Sequence, residues 1–320
     1  MSARALVTGG NGFVARWTMR AMLERGWQVT AAGIGEQPDL GILTPEERAR
    51  VQWRTMDVTR QADVAQTVRA CAPDFVVHLA AVSHVPDAHS NPGYAYEVNV
   101  VGTVRLLAEV QALRERGVVD PSVLVVGSAE QYGRHDLEEM PLHEEVERRP
   151  LTLYAATKVA QEVAALQAFR SDGMHIVCTR SFNHSGVGHS GRFLLPGLVA
   201  RALALPPSGG ALTIGNGDVV RDFLHVSDVV AAYLSLLDKG AVGDVYNVSS
   251  GIGTSVRALA SAVLARVGVS ADVTSEAARM RPVDVPVLVG SNSKLRRATG
   301  WTPERTLADI IDDLIHAATH

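Results

Sequence analysis

The sequence predicts an α/β fold: a doubly wound parallel sheet with a smaller α/β lobe interleaved from the C-terminal half. Three observations predict it. Short apolar runs alternate with helical periods over the first half. A glycine-rich turn stands between the first run and the first helix. The second half is broken by Gly, Pro and turn residues. Strand, helix and strand repeated in one chain implies parallel strands with helices on both faces, and right-handed crossovers then wind the sheet in both directions.

Taken in order, residues 5–7 are the first strand, and a helix follows over 14–25 with Val14, Trp17, Met22 and Leu23 as its apolar positions. Residues 28–32 are the second strand, and a polar stretch then holds a helix over 45–50. Residues 51–54 run up to Asp57, with a helical period over 62–70. Residues 75–79 read as a buried strand, 98–114 as a helix and 122–126 as a strand. Beyond this, turn residues cluster at 186–191, 206–210 and 215–218, with helical periods at 256–267 and 307–316. The chain is expected to divide near residue 180. A nucleotide-binding domain would cover 1–180, residues 222–247 would return to its sheet, and an interleaved lobe would be drawn from 181–320.

Composition narrows the function classes. The 320 residues are 47% hydrophobic, enough apolar mass for a large core. Thirty basic against 34 acidic side chains give a net charge of −4, so nothing points to nucleic acid, and a polyanionic ligand must meet local cations or backbone N–H groups. Cys71 and Cys178 each lie in apolar runs and read as buried thiols in a reducing compartment. No apolar run reaches the roughly 20 residues of a bilayer span, and the N-terminus enters a strand-like run without a basic, then apolar, leader. A cytoplasmic protein with no membrane partner is expected.

The turn Thr8-Gly9-Gly10-Asn11-Gly12-Phe13-Val14-Ala15 lies between strand and helix. Glycines there let the backbone approach a pyrophosphate seated on the helix N-terminus, as in a Rossmann dinucleotide site. Gly9, Asn11, Gly12, Phe13 and Val14 are the expected cofactor contacts. Ala15 replaces the third glycine, a packing position where one methyl is tolerated. At the end of the second strand, Ala32-Gly33-Ile34-Gly35-Glu36 puts Gly33 where an acid would bind the ribose. Glu36 stands about where an arginine would accept a 2′-phosphate, which favours NAD over NADP.

Tyr154 and Lys158, four residues apart in an alanine-rich stretch, share one helix face. A phenol of pKa ~10 is a poor base at neutral pH, and a neighbouring ammonium is expected to lower it. The pair suits proton transfer at a carbonyl or carbinol while a nicotinamide moves hydride. Ser128, in Gly127-Ser128-Ala129-Glu130-Gln131-Tyr132-Gly133, ends a strand on the ligand side and would hydrogen-bond the reacting oxygen. The eleven histidines show no metal-ligand spacing with nearby acids.

Thr8-Gly9-x-x-Gly12, His78-Leu79-Ala80-Ala81, Ser128 and Tyr154-x-x-x-Lys158 together resemble the extended short-chain dehydrogenase/reductase family, over essentially the whole chain. The resemblance implies an NAD(P) fold with a C-terminal nucleotide-sugar lobe. It implies Asp57 and Val58 near the adenine, Leu79, Ala80 and Ala81 along the cofactor, and Asn99 in the active-site region. Further stretches are Arg180-Ser181-Phe182-Asn183, Val220-Arg221-Asp222-Phe223, Asp244-Val245-Tyr246-Asn247 and Arg279-Met280-Arg281-Pro282-Val283-Asp284. They are similar to GDP-4-dehydro-6-deoxy-D-mannose reductases and GDP-mannose 4,6-dehydratases. By that likeness Ser83, Asn183, Arg221, Arg281 and Asp284 would hold the nucleotide sugar.

Three reactions fit. The likeness favours reduction of a 4-keto sugar, with Tyr154 protonating the alkoxide, Lys158 supporting it and Ser128 polarising the carbonyl. A 4,6-dehydratase needs a further acid or base at C5 and C6, and Glu130 stands where such enzymes carry a glutamate, as some reductases also do. Ala129 replaces the Asp of dTDP-glucose dehydratases, which GDP-mannose dehydratases do not need. A 4-epimerase would keep the same core residues and hold its cofactor tightly. A binding protein without catalysis would be expected to lose Tyr154 or Lys158, and a plain alcohol dehydrogenase would leave the second lobe without purpose. A homodimer through the helices at 98–114 and 152–170 is implied by the resemblance and by their apolar side chains.

Overall fold

The computed structural model describes residues 2–39, 41–280 and 284–319. From the N-terminus β1 (Arg4–Thr8), α1 (Phe13–Glu24), β2 (Gln28–Gly33), α2 (Pro45–Ala49), β3 (Val51–Thr55), α3 (Gln61–Cys71) and β4 (Phe75–His78) alternate. Then come α4 (Val85–Ser90), α5 (Pro92–Tyr96), a π-helical turn (Glu97–Val101), α6 (Gly102–Glu115), β5 (Ser122–Ser128), α7 (Leu153–Asp172) and β6 (His175–Ser181). The C-terminal half holds β7 (Asn183–Ser185), α8 (Leu194–Leu203), β8 (Gly210–Ile214), β9 (Val220–His225), α9 (Val226–Lys239) and β10 (Asp244–Val248). It closes with β11 (Gly253–Ser255), α10 (Val256–Val267), β12 (Ala271–Ser275), β13 (Val287–Leu288), α11 (Ser293–Thr299) and α12 (Leu307–Thr319).

Seven parallel strands form the main sheet in the order β10-β6-β5-β4-β1-β2-β3, the doubly wound α/β fold that the alternating pattern implies. Its central strands are apolar on both faces, with Leu6, Val7, Val76, Val77, Val123 and Leu124 all buried, as helices on both sides require. One face is covered by α1 and α9, through Met19, Met22, Tyr233 and Leu236. The other is covered by α3, α6 and α7, through Val68, Leu106, Val110 and Ala165. Each fully buried aliphatic side chain contributes about 1.5–3 kcal/mol, so the sheet is a rigid platform. The strand order reverses between β1 and β4, and a ligand crevice opens at the carboxyl ends of strands beside such a reversal.

The smaller lobe has its own sheet, β11-β9-β13 with β7 beside β9, and a separate β12–β8 pair. Its core is drawn from α8, α10 and α12, including Leu198, Leu259 and Ile310. The segment 222–247 splits between the two. Its first residues belong to β9 of the smaller sheet, and the return to the main sheet begins at α9 and ends with β10 beside β6. The helix expected from residue 98 also begins differently. The π-helical turn precedes α6, and at their junction a Cβ on Gly102 would lie 2.9 Å from Val58 Cγ2.

Candidate active site

The chain turns back on itself immediately after β1. Gly9 has φ +68°, and a Cβ there would lie 2.8 Å from the Ala80 nitrogen, so both backbone conformation and space require glycine. Gly12 begins α1 without a side-chain cap, and the first helical turn carries no acid. The N–H groups and the positive end of this 12-residue helix therefore face the crevice, where they suit a pyrophosphate. Arg16, one turn further on, lines the same crevice, and its Nε is buried without a protein partner. These features fit a dinucleotide.

The ribose end explains a residue that looked odd in sequence. A Cβ on Gly33 would fall 1.9 Å from Asn11 Oδ1, so the site usually given to an acid is filled by Asn11, whose amide donates to Ile34 O at 3.1 Å. Gly35 O is pinned by Trp53 Nε1 (3.1 Å) and Thr55 Oγ1 (2.8 Å). Glu36 is exposed and lies outside the cavity walls. A cavity of about 290 Å³ lies here, with Gly9, Asn11, Asp57, Val58, Ala80 and Ala81 in its wall. Asp57 Oδ1 accepts from Thr59 N and Oγ1 at 2.9 and 2.7 Å.

Ser128, Tyr154 and Lys158 meet in a cavity of about 620 Å³ that also takes in Gly9, Asn11, Gly12, Phe13, Val14, Leu79 and Ala81. Ser128 ends β5, and its N–H donates to Gln131 Oε1 at 3.1 Å. Its hydroxyl accepts from Glu130 N at 3.2 Å, which sets Glu130 on the same wall. Thr152 caps α7 by accepting from Ala155 N at 3.1 Å, fixing the turn that carries Tyr154. Burial pushes the Tyr154 phenol up to about 12, against the pull of its hydrogen bond with Ser128, while Glu130 adds to the rise. Burial drives the Lys158 ammonium down to about 7.

The expected lowering of the phenol by the lysine is not what the structure shows. Lys158 Nζ donates to Val126 O and Gln161 Oε1, both at 2.8 Å, and burial dominates the phenol. Asn99 also stands apart from the cavity. It is fully buried in the π-helical turn, where Oδ1 accepts from Val82 N at 2.7 Å and Nδ2 donates to Val82 O at 3.2 Å and Thr157 Oγ1 at 2.9 Å. It braces the wall from behind.

Ser83, Asn183, Arg221 and Asp284 all reach the large cavity; Arg281 lies outside the described residues. Arg221 Nη2 donates to Asp284 Oδ1 at 2.6 Å, and Nη1 to Val285 O at 2.7 Å, so these two residues form a neutral pair. Local positive charge comes from residues that sequence reasoning passed over. Arg16, Arg192 and Arg279 join Lys158 and Arg221 in the wall. Arg192 pairs with Asp87 at 3.2 Å and Arg279 with Glu276 at 3.0 Å, half-exposed pairs whose guanidinium groups a diphosphate can share. Arg279 stood inside a quoted motif, whereas Arg192 carried no spacing signal. His189 stacks on Phe13 and packs against Phe193, each at 4.4 Å between ring centroids, bridging the glycine turn to the smaller lobe.

Comparison with known proteins gives the family. The family model for GDP-mannose 4,6 dehydratase matches residues 6–314. The GDP-6-deoxy-D-mannose reductase of Pseudomonas aeruginosa is 37% identical over 238 residues, which cover 73% of this chain and 77% of that protein. The GDP-6-deoxy-D-talose 4-dehydrogenase of Aggregatibacter actinomycetemcomitans is 30% identical over 300 residues, 93% of this chain and 91% of that one. Among solved structures, RMD from Pseudomonas aeruginosa complexed with NADPH matches with TM-score 0.79 and 28% identity, over 99% of this chain and 100% of that one.

Proposed function

The chain belongs to the GDP-mannose 4,6-dehydratase family of extended short-chain dehydrogenases/reductases, and from that premise we propose that it reduces the 4-keto group of a GDP-linked deoxysugar with NAD(P)H. One observation carries the reading. Ser128, Tyr154, the glycine turn and a cationic wall open on one cavity, in a chain 37% identical to a GDP-6-deoxy-D-mannose reductase.

NAD(P)H, when bound, supplies the hydride that reduces the carbonyl carbon. Ser128 donates a hydrogen bond to the ketone oxygen, sharing the charge that develops on it. Tyr154, whose burial keeps it protonated through neutral pH, gives that oxygen its proton. Lys158, one helical turn on, lines the same cavity with its Nζ held by Val126 O and Gln161 Oε1, where it supports the bound cofactor. Arg192 and Arg279 hold the diphosphate with Asn183, while the Arg221–Asp284 pair shapes the wall. The N-terminus of α1, Arg16 and the Asp57 end of the crevice hold the dinucleotide.

A second reading, a 4,6-dehydratase or epimerase that recycles a tightly held NAD(P), draws on Glu130, which lines the same cavity and could serve C5 and C6. NAD(P)H deuterated at the transferring position separates the two. Reduction leaves deuterium at C4 of the product with net oxidation of the cofactor, and recycling leaves the cofactor unconsumed.

The same reading assigns the dinucleotide to residues 1–180 with α9 and β10, and the nucleotide sugar to the remainder of 181–320. It includes a homodimer through α6 and α7, where Val104 and Val163 are 48% and 49% exposed. A monomer in sedimentation at micromolar concentration would contradict the dimer. The cytoplasm is the proposed compartment; no helix among the described residues is long and apolar enough to cross a membrane.

A further inference from the structure

We propose that Gln161 is a positioning residue for Lys158, the last link of a buried hydrogen-bonded chain running from the glycine turn through Thr8, His78 and Thr103. The chain lies behind the cavity wall, and all four of its side chains are buried.

The proton directions follow from counting donors. Thr103 has one hydroxyl proton, and it goes to Asn99 O at 2.8 Å. Its oxygen must then accept from both remaining partners, Gln161 Nε2 and His78 Nε2, each at 2.8 Å. His78 is therefore the tautomer protonated on Nε2. Its Nδ1 is left to accept the Thr8 hydroxyl at 2.7 Å, and burial holds the ring neutral, down to about 3. Thr8 Oγ1 in turn accepts from Leu79 N and Ala80 N, both at 3.2 Å, on the strip that borders the dinucleotide crevice. At the other end, Gln161 gives its amide N–H to Thr103, so its carbonyl oxygen must face Lys158 Nζ at 2.8 Å. Turning the amide over would set an NH₂ against an ammonium and leave two buried groups unsatisfied, a cost of about 1–3 kcal/mol each.

The lysine depends on this acceptor because it has few others. Its Nζ touches Val126 O and Gln161 Oε1. Among titratable neighbours, Tyr154 lies on its own helix and His78 faces it from β4. Glu162 is committed to Arg180, Arg148 and Gln131, and Glu130 acts on Tyr154. In so dry a place the charge at position 161 sets how firmly the ammonium keeps its proton.

The chain contains only three lysines, Lys158, Lys239 and Lys294, so the ε-methylene signals of isotope-labelled lysine can be assigned with Lys158→Arg and titrated by NMR. Gln161→Glu should raise the Lys158 midpoint by about 1–3 units, and Gln161→Leu should lower it by about one unit. Thr103→Val should lower it in the same sense by freeing the Gln161 amide, and Thr103→Ser should restore it. An unchanged midpoint, or a shift of the same sign in both Gln161 variants, overturns the proposal. Should Gln161→Glu fail to fold by circular dichroism, the Thr103 pair decides alone: a midpoint unmoved in Thr103→Val overturns it. This titration is read on the resting protein and stands apart from the reaction assigned above. The kinetic arm rests on the reductase reading. There the high-pH limb of kcat should move with the NMR midpoint while KM for the sugar stays within about twofold.

Discussion

The Ser128 hydroxyl, at the end of β5, lies close enough to the Tyr154 phenol, in the first turn of α7, to draw it down against burial, and both line the large cavity. In the proposed reaction, the donor for the ketone oxygen and the acid that protonates it would thus be presented together from two rigid elements. Tyr154→Phe is expected to lower kcat by about a hundredfold to ten-thousandfold, and Ser128→Ala by about a hundredfold or more. Both should retain cofactor affinity, read by fluorescence of the reduced nicotinamide. A tenfold loss of that affinity would place the two residues in binding instead.

Burial of Lys158 links protonation to stability. Its folded value of about 7 lies below the ordinary 10.5, so between those limits the unfolded chain binds the extra proton and stability rises with pH. Below about pH 7 both states are protonated and the slope vanishes. Relative to Lys158→Met, the wild-type protein should gain about 1–3 kcal/mol in denaturant unfolding between about pH 7 and 9.5. A gap that stays constant across this range would show that the buried ammonium is not what titrates.

The cationic wall predicts a split in kinetic constants. Arg279→Ala should raise KM for the nucleotide sugar by about tenfold to a hundredfold, the worth of charge-assisted bonds to a diphosphate, with kcat within about twofold. Arg221→Ala should instead lower the midpoint of thermal unfolding, because it leaves Asp284 and the Val285 carbonyl without their partner. If Arg279→Ala acted on kcat alone, the diphosphate would have to lie elsewhere.

Glycine at position 9 is needed for two reasons at once, and a second glycine separates them. Gly26 has φ +75° but open space where a Cβ would go. Gly26→Ala should cost about 1–2 kcal/mol of stability and leave cofactor binding intact. Gly9→Ala adds a collision with the Ala80 backbone, and should weaken NAD(P)H binding by at least about tenfold in fluorescence titration. Equal affinities in the two variants would remove the glycine turn from the cofactor site.

Much of this arrangement was legible in the sequence because its signals are local. The alternation of apolar runs and helical periods reports burial on both faces of a parallel sheet. Ser128 at a strand end and the four-residue spacing of Tyr154 and Lys158 each define a direction in space. What stayed hidden depends on distant contacts. Gly33 looks like a missing acid until Asn11 is seen filling its place. Arg16 and Arg192 reach one cavity from loops and helices far apart in the chain, and no spacing connects them. The partners of Lys158 were misread because the phenol is near in sequence, whereas Val126 is near only in space. The π-helical turn at Glu97 adds a residue without disturbing the apolar pattern, so it left no trace.

Reduction can be watched directly. The purified protein is mixed with GDP-4-keto-6-deoxymannose and either NADH or NADPH, and the absorbance of the reduced cofactor is followed. Stoichiometric consumption that disappears in Tyr154→Phe is the expected result, and the faster donor identifies the cofactor. No consumption, together with NAD(H) or NADP(H) released on denaturation, would contradict it and mark an enzyme that recycles its own hydride.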